Sequence, residues 1–328
     1  MRIIVDALGG DNAPLEIIKG CLLAQKEYNF EIILVGNEKI IKNSSEKNNL
    51  DIKNLDIRNS EGKIDSNDES VEIMKSKGNS SMSVGLNLLK NGDGDAFVSA
   101  GNSGALLIGS TFIVKRIKNV KRAAFAPVIP NESGFFMLID SGANSECRAE
   151  FLDQFGILGS VYMEKVMNVK NPRIGLANIG TEVTKGDVLR KESFKLLSEN
   201  TNINFIGNVE ARDIPQNGAD VVVTDGFTGN IILKLYEGMT SAIFKKFKNV
   251  LTKNVKTKIG SLLILPELER MKKNVDYNEY GGAPIVGISK PIFKAHGSSN
   301  AYTIKNALRL ASEYVKQNII YEFFGRFN

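Results

Sequence analysis

The chain has 328 residues, enough for one large α/β domain or two modest ones with a well-filled core. Hydrophobic residues at 42% and charged residues at 24% argue against wholesale disorder, and two cysteines, Cys21 and Cys147, cannot build a disulfide framework. A net charge of +5 is too weak to argue for nucleic acid, and suits an acidic partner or anionic lipid where it clusters.

Met1-Arg2-Ile3-Ile4-Val5-Asp6 meets an acid too soon for a signal peptide and reads as a first strand. Further buried strands are predicted at 31–35, 95–99, 135–140, 173–178, 203–207 and 220–224, with helical spacing over 14–27, 83–91, 149–167 and 186–199. This alternation predicts the α/β class, a mainly parallel sheet covered on both faces, in a single domain spanning 1–328. The two cysteines make a reducing cytosol the expected compartment, and no apolar stretch approaches the roughly 20 residues that cross a bilayer, so any membrane contact is expected to be peripheral.

Five strands end in glycine and small polar residues. These loops contain Gly9, Gly10 and Asn12; Gly101, Asn102, Ser103 and Gly104; Asp140 and Asn144; Asn178, Gly180 and Thr181; and Asp225, Gly226, Thr228, Gly229 and Asn230. In open α/β sheets the carboxyl ends of strands line the ligand crevice, and glycine lets the backbone approach a ligand. One such loop is only a strand-to-helix turn, but five of like character predict a composite anion site. None is a P-loop or a dinucleotide fingerprint, so neither ATP nor NAD is supported and no cofactor is expected.

The single histidine, His296, lies in a Gly-Ser-rich loop and excludes a histidine-rich zinc site. With no nucleophile elbow elsewhere, the chemistry must rest on lysine, amides and backbone donors. His296 reads as a local packing or capping residue, and Cys147 does not read as a nucleophile.

The segment 237–280 differs in character. Met239, Ile243, Phe244, Phe247, Val250 and Leu251 recur at helical spacing among lysines, and Gly260 and Pro266 bracket Leu262, Leu263, Ile264 and Leu265. This predicts a helical hairpin with an apolar tip between basic flanks. It is either an ordinary packed helix with a solvated lysine face or a protrusion facing a partner or an anionic membrane.

The ordered set Val5–Pro14, Val98–Ala105, Asp140–Asn144, Asn178–Glu182, Asn208–Asp213, Val223–Asn230 and Gly281–Pro284 resembles the phosphate acyltransferase (PlsX) family of bacterial phospholipid synthesis. Departures are mild: Leu8, Ser103 and Ser141 stand where the family usually has Met, Thr and Val, and Asn79 replaces an Asp before Ser80-Ser81. The resemblance implies a three-layer α/β/α sandwich related to phosphotransacetylases and the isocitrate dehydrogenase fold. It further implies a homodimer, inorganic phosphate and acyl carrier protein as reactants, and peripheral membrane association.

That reaction is attack of a phosphate oxygen on a thioester carbonyl. Phosphate is already anionic, and a thiol of pKa roughly 8.5 leaves with little acid help, so no Ser-His-Asp apparatus is required. Lys185 is the candidate for holding phosphate. Asn230 either donates its amide to the carbonyl oxygen or caps a helix beginning near Ile231. Asp6, Asp140 and Asp225 read as acceptors of loop N–H bonds in preference to Mg²⁺ ligands, and no metal is expected. Two other readings remain open: a short-chain phosphotransacetylase using acyl-CoA, and a non-catalytic membrane-recruited scaffold.

Overall fold

The computed structural model describes residues 1–275 and 281–327. The first part of the chain runs β1 (Arg2–Asp6), α1 (Leu15–Glu27), β2 (Glu31–Gly36), α2 (Glu38–Lys47), β3 (Asp56–Asn59), α3 (Ser81–Asn91), β4 (Ala96–Ser99) and α4 (Ser103–Gly109). It continues through β5 (Ala124–Phe125), β6 (Val128–Asn131), β7 (Gly134–Ile139), α5 (Ala149–Lys165), β8 (Arg173–Asn178), α6 (Val188–Glu199), β9 (Asn204–Glu210) and β10 (Val221–Val223). The last part comprises α7 (Gly226–Leu251), α8 (Val255–Val275), β11 (Ala283–Val286), β12 (Ile292–Lys294), α9 (Ala301–Lys316) and α10 (Ile319–Phe327).

The strands divide between two sheets, where the sequence suggested one. The first has the order β3-β2-β1-β4-β12-β11-β5, and the second the order β6-β7-β10-β8-β9. Pairing is parallel except where β11 meets β12 and β5, and where β6 meets β7.

Period-two alternation joins both sheets to one core. Ile3, Val5, Ala96 and Val98 of the first sheet share a cluster with Met137, Ile139, Ile174, Leu176, Val221 and Val223 of the second. Helices α1, α5, α9 and α10 supply its other wall, including Phe155, Tyr162, Tyr314 and Phe323. The intervening residues face the other way: Ile4, Ile33 and Phe97 toward α3 and α4, and Phe136, Leu138 and Val222 toward α7. The result is helices on both faces of mostly parallel sheets. The loop at 77–83 is fixed by Ser80, whose Oγ caps α3, and by Asn79, which bonds Glu61.

Two helices fill the predicted segment, but the break between them is not where the leucine run predicted it. Helix α7 ends at Leu251, and Asn254 and Thr257 bond reciprocally to start α8, Thr257 N–H to Asn254 Oδ1 at 3.0 Å and Asn254 N–H to Thr257 Oγ1 at 3.1 Å. This cap starts the helix early, so Gly260 and Pro266 fall inside α8 and residues 262–265 lie along its length. Residues 276–280 of the predicted segment lie outside the described residues, as do the side chains of Leu262 and Leu265.

Candidate active site

Both sheets turn the carboxyl ends of their central strands toward one cleft. In the first sheet Lys294 ends β12 in register with Ser99 at the end of β4, next to the Asp6 end of β1. In the second, Val223 of β10 pairs with Ile139 of β7 and Leu176 of β8, which brings the loops after all three strands together.

Each half has a buried acid that organises its own loops. Asp6 accepts Ser81 Oγ–H at 2.6 Å, Ser99 Oγ–H at 2.7 Å and Leu8 N–H at 3.2 Å. Asp140 accepts N–H bonds from Phe125, Gly142, Ala143 and Asn144, and the Asn144 amide at 2.9 Å. Burial pushes both carboxyls above their ordinary range, while these donors pull the other way. With their oxygens so engaged, both acids shape the walls. Among the described residues no cluster of three or more His, Cys, Asp or Glu is disposed to hold a metal ion.

Helix α7 begins at Gly226, with Asp225 as its cap: Thr228 N–H donates to Asp225 Oδ1 at 2.9 Å. Asn230 therefore sits in the second turn and caps nothing, which removes one of its two predicted roles. Gly229 packs on the Asp140 carbonyl, and a Cβ at Gly226 would stand 2.7 Å from Asn144 O, so only glycine allows this approach.

Arg190, at the start of α6, pairs with Asp225 and donates to Thr228 Oγ1 at 2.9 Å. It ties the loop ahead of α6 to the start of α7. Burial opposes ionisation of Asp225, yet the Thr228 donors and Arg190 hold its carboxyl below the ordinary range. Arg190→Met should destabilise the fold by about 3 kcal/mol at pH 7, the low end for a broken buried pair, because Thr228 still serves the carboxylate. A carboxyl with a depressed folded pKa stabilises above its unfolded value, about 3.9, and that stability is lost as the pH falls through the folded one. Thermal melts of native and variant should accordingly converge in acid. A gap as wide at pH 3 as at pH 7 would refute the pairing.

Two cavities open into the cleft. One, of about 550 Å³, is lined by polar loops that include Gly10, Asp11, Lys63, Asp65, Gly101, Asn102, Ser103 and Gly104. The other, of about 230 Å³, has the apolar walls Phe125, Pro127, Val128, Leu233 and Ala283, with Asn230 and His296 at its edge. Ser103 and Lys294 line both.

The structure thus divides the predicted set. Gly10, Gly101, Asn102, Ser103 and Gly104 line the polar cavity, and Asn230 the apolar one. Gly9 is packed against Asp6 and the Gly101 amide, and Asn12 donates to Ser298 O and Ser299 O. Asp140, Asp225 and Thr228 turn polar atoms onto their own loops, while the amides of Asn144 and Asn178 tie theirs to Ala123 O and Asn208 Oδ1, all as framework. Lys185 lies exposed on the loop before α6 and lines neither cavity, with Gly180 and Thr181 on the same loop. His296 Nδ1 accepts Ser298 N–H at 3.2 Å, and the residue also lines the apolar cavity.

Lys294 and Arg190 escaped the sequence reading. The signal for Lys294 was a short apolar run, Ile292-Phe293, ending in a charge before Gly297-Ser298-Ser299, the same pattern as the other five loops.

The architecture is that of phosphotransacetylases. A phosphotransacetylase from Streptococcus pyogenes superposes with a TM-score of 0.66 at 16% identity, covering 96% of this chain and 94% of that one. EutD phosphotransacetylase from Staphylococcus aureus gives 0.61, also at 16% identity, over 95% and 94%. At such identities the likeness is one of fold.

Sequence similarity is closer to another group. A family model described as fatty acid synthesis protein matches residues 1–322. Proteins named phosphate acyltransferase are 46% identical in Alkaliphilus oremlandii and 47% in Thermoanaerobacterium thermosaccharolyticum, each alignment covering 98% of this chain and 95% of the relative. The chain belongs to the phosphate acyltransferase family, and is an acyltransferase enzyme.

Proposed function

We propose that this chain transfers a fatty acyl group from an acyl carrier protein thioester to inorganic phosphate, giving acyl phosphate and the free carrier thiol. The carrying observation is the junction of two unlike cavities, one apolar-walled and one polar, with Ser103 and Lys294 common to both. An acyl tail fits the first chemistry and an anion the second. A phosphate oxygen attacks the carbonyl carbon, Asn230 donates to the oxygen that gains charge, and the carbon–sulfur bond breaks with its electrons on sulfur. Lys185, outside the walls of both cavities, approaches phosphate from its exposed loop, as a compact charge on a flexible stem.

Release of carrier thiol on adding phosphate tests the reading, with acyl-CoA of the same chain length and a short acyl-CoA run in parallel. Turnover at least tenfold faster on the carrier thioester is expected. Equal or faster turnover on short acyl-CoA would assign a short-chain phosphotransacetylase instead.

Homodimerisation and peripheral membrane contact belong to the same proposal. Phe227, Ile231, Leu235, Met239, Ile243 and Phe247 form a ladder of four-residue steps along α7, each 44–64% exposed, which suits a second copy. Leu263 and Ile264 on α8 are 83% and 45% exposed, near Lys256 and Lys258. Full burial of such a pair contributes about 3–6 kcal/mol, enough for reversible contact with anionic lipid. Replacing both with Asp should release the protein from anionic vesicles and leave turnover in solution intact. Unchanged vesicle binding would place the contact elsewhere.

A further inference from the structure

Lys294 has the setting of an anion-binding group. The residue is half-buried, and its ammonium is largely enclosed where the two cavities meet. The carbonyls of Ala100, at 3.2 Å, and Ala295 accept two of its three N–H bonds, and no third acceptor occurs among the described residues. No carboxylate among them stands within ion-pair distance either. Asp6, at the end of β1, spends its oxygens on Ser81, Ser99 and Leu8. A cation enclosed with only neutral hydrogen-bond partners, and with Asp6 and Asp11 acting on it from beyond ion-pair distance, is costly, and an anion arriving at its free donor offsets that cost.

Building on the acyl-transfer reading, we propose that Lys294 contacts the acceptor phosphate, its third N–H meeting a phosphate oxygen at the passage from the polar to the apolar cavity. It thereby places the nucleophile beside the wall that carries Asn230. The transfer itself is unchanged: an oxygen–carbon bond forms, the carbon–sulfur bond breaks, and Lys294 gives up no proton. A strut that merely satisfies the Ala100 and Ala295 carbonyls would need neither the junction nor a free donor. Burial lowers the lysine pKa to about 8, against the pull of Asp6 and Asp11, so the contact is available at neutral pH and fades above it.

Binding of inorganic phosphate and of sulfate to the purified full chain, followed calorimetrically without acyl substrate, tests this independently of the transfer reaction. Lys294→Met should weaken phosphate at pH 7 tenfold or more, and Lys294→Arg less. Sulfate keeps its charge across this range, so its affinity for the native chain should fall nearly tenfold per pH unit above about 8, and stay flat in the Met variant. Slopes due to Asp6, Asp11, Lys63, Asp65, Lys234, Glu237 or His296, which surround the passage, would persist in both proteins. Phosphate affinity within twofold of native in Lys294→Met, equal slopes in the two proteins, or no saturable anion binding to the native chain would overturn the assignment. If Lys294→Met does not fold, a flat native sulfate profile overturns it and a falling one, retained charge-dependently in Lys294→Arg as a shift to higher pH, supports it. Loss of acyl transfer with intact Lys294-dependent anion binding would instead refute the transfer reading alone.

Discussion

Asn230→Ala should lower turnover by about 10²–10³, or about 3–4 kcal/mol, with the phosphate affinity and the fold retained. Asn230 is exposed on the second turn of α7, at the wall of the apolar cavity, and its amide carries no hydrogen bond among the described residues. Because Asp225 caps the helix, loss of the Asn230 amide removes no structural bond. A donor used only when the carbonyl oxygen gains charge affects turnover and spares ground-state binding. Asn230→Asp should be at least as damaging, since it offers a negative charge to an oxyanion. Steady-state kinetics with circular dichroism as a control decide it, and a loss under fivefold would exclude Asn230 from oxyanion stabilisation.

Lys185→Ala should weaken phosphate binding and also slow the chemistry. The loop that carries Lys185 is fixed: Asn178 Nδ2–H donates to Lys185 O at 3.2 Å, and Asn208 Nδ2–H to Glu182 O at 2.9 Å. Gly186, at φ 91°, makes the reversal into α6. The backbone is therefore held while the exposed side chain is free to reach an anion. A charge that meets phosphate in both ground and transition states raises KM and lowers kcat together, in contrast to Asn230. Lys185→Arg should rescue little, because a planar fork does not replace a point charge. Near-normal turnover at modest phosphate would make Lys185 a solvated loop residue.

Much of the fold was legible because burial imposes period-two and helical patterns on the sequence. The strand predicted at 173–178 is β8 to the residue, and the helix predicted at 14–27 differs from α1 by one. Strands β3, β5, β6, β11 and β12 escaped because two to four residues carry no period, and the pairing of the last two depends on distant partners such as Phe97 and Phe125. The hairpin turn was misplaced because the Asn254–Thr257 cap outweighs Gly260 and Pro266, which by composition look like breakers.

The site was legible as a set of loops and less so residue by residue. Glycine and asparagine at strand ends mark a crevice, but whether a polar side chain faces the ligand or its own loop depends on geometry. Asn144 looks like a ligand residue in sequence, and in the fold its amide bonds Asp140 and the Ala123 carbonyl. Asn230 looked like a cap because Gly226 and Gly229 suggest a turn, whereas both glycines lie inside α7 for close packing on Asn144 and Asp140. Lys294 became visible only once β12 was placed beside β4.

The central claim is that the cleft joins an acyl group to phosphate. ³¹P NMR of the purified chain with acyl-carrier thioester and inorganic phosphate reads this directly. The account predicts a new acyl phosphate resonance that grows in step with free carrier thiol and is nearly absent with Asn230→Ala. Thiol release without a new phosphorus signal, or at the same rate without phosphate, would mean that water is the acceptor and would contradict it.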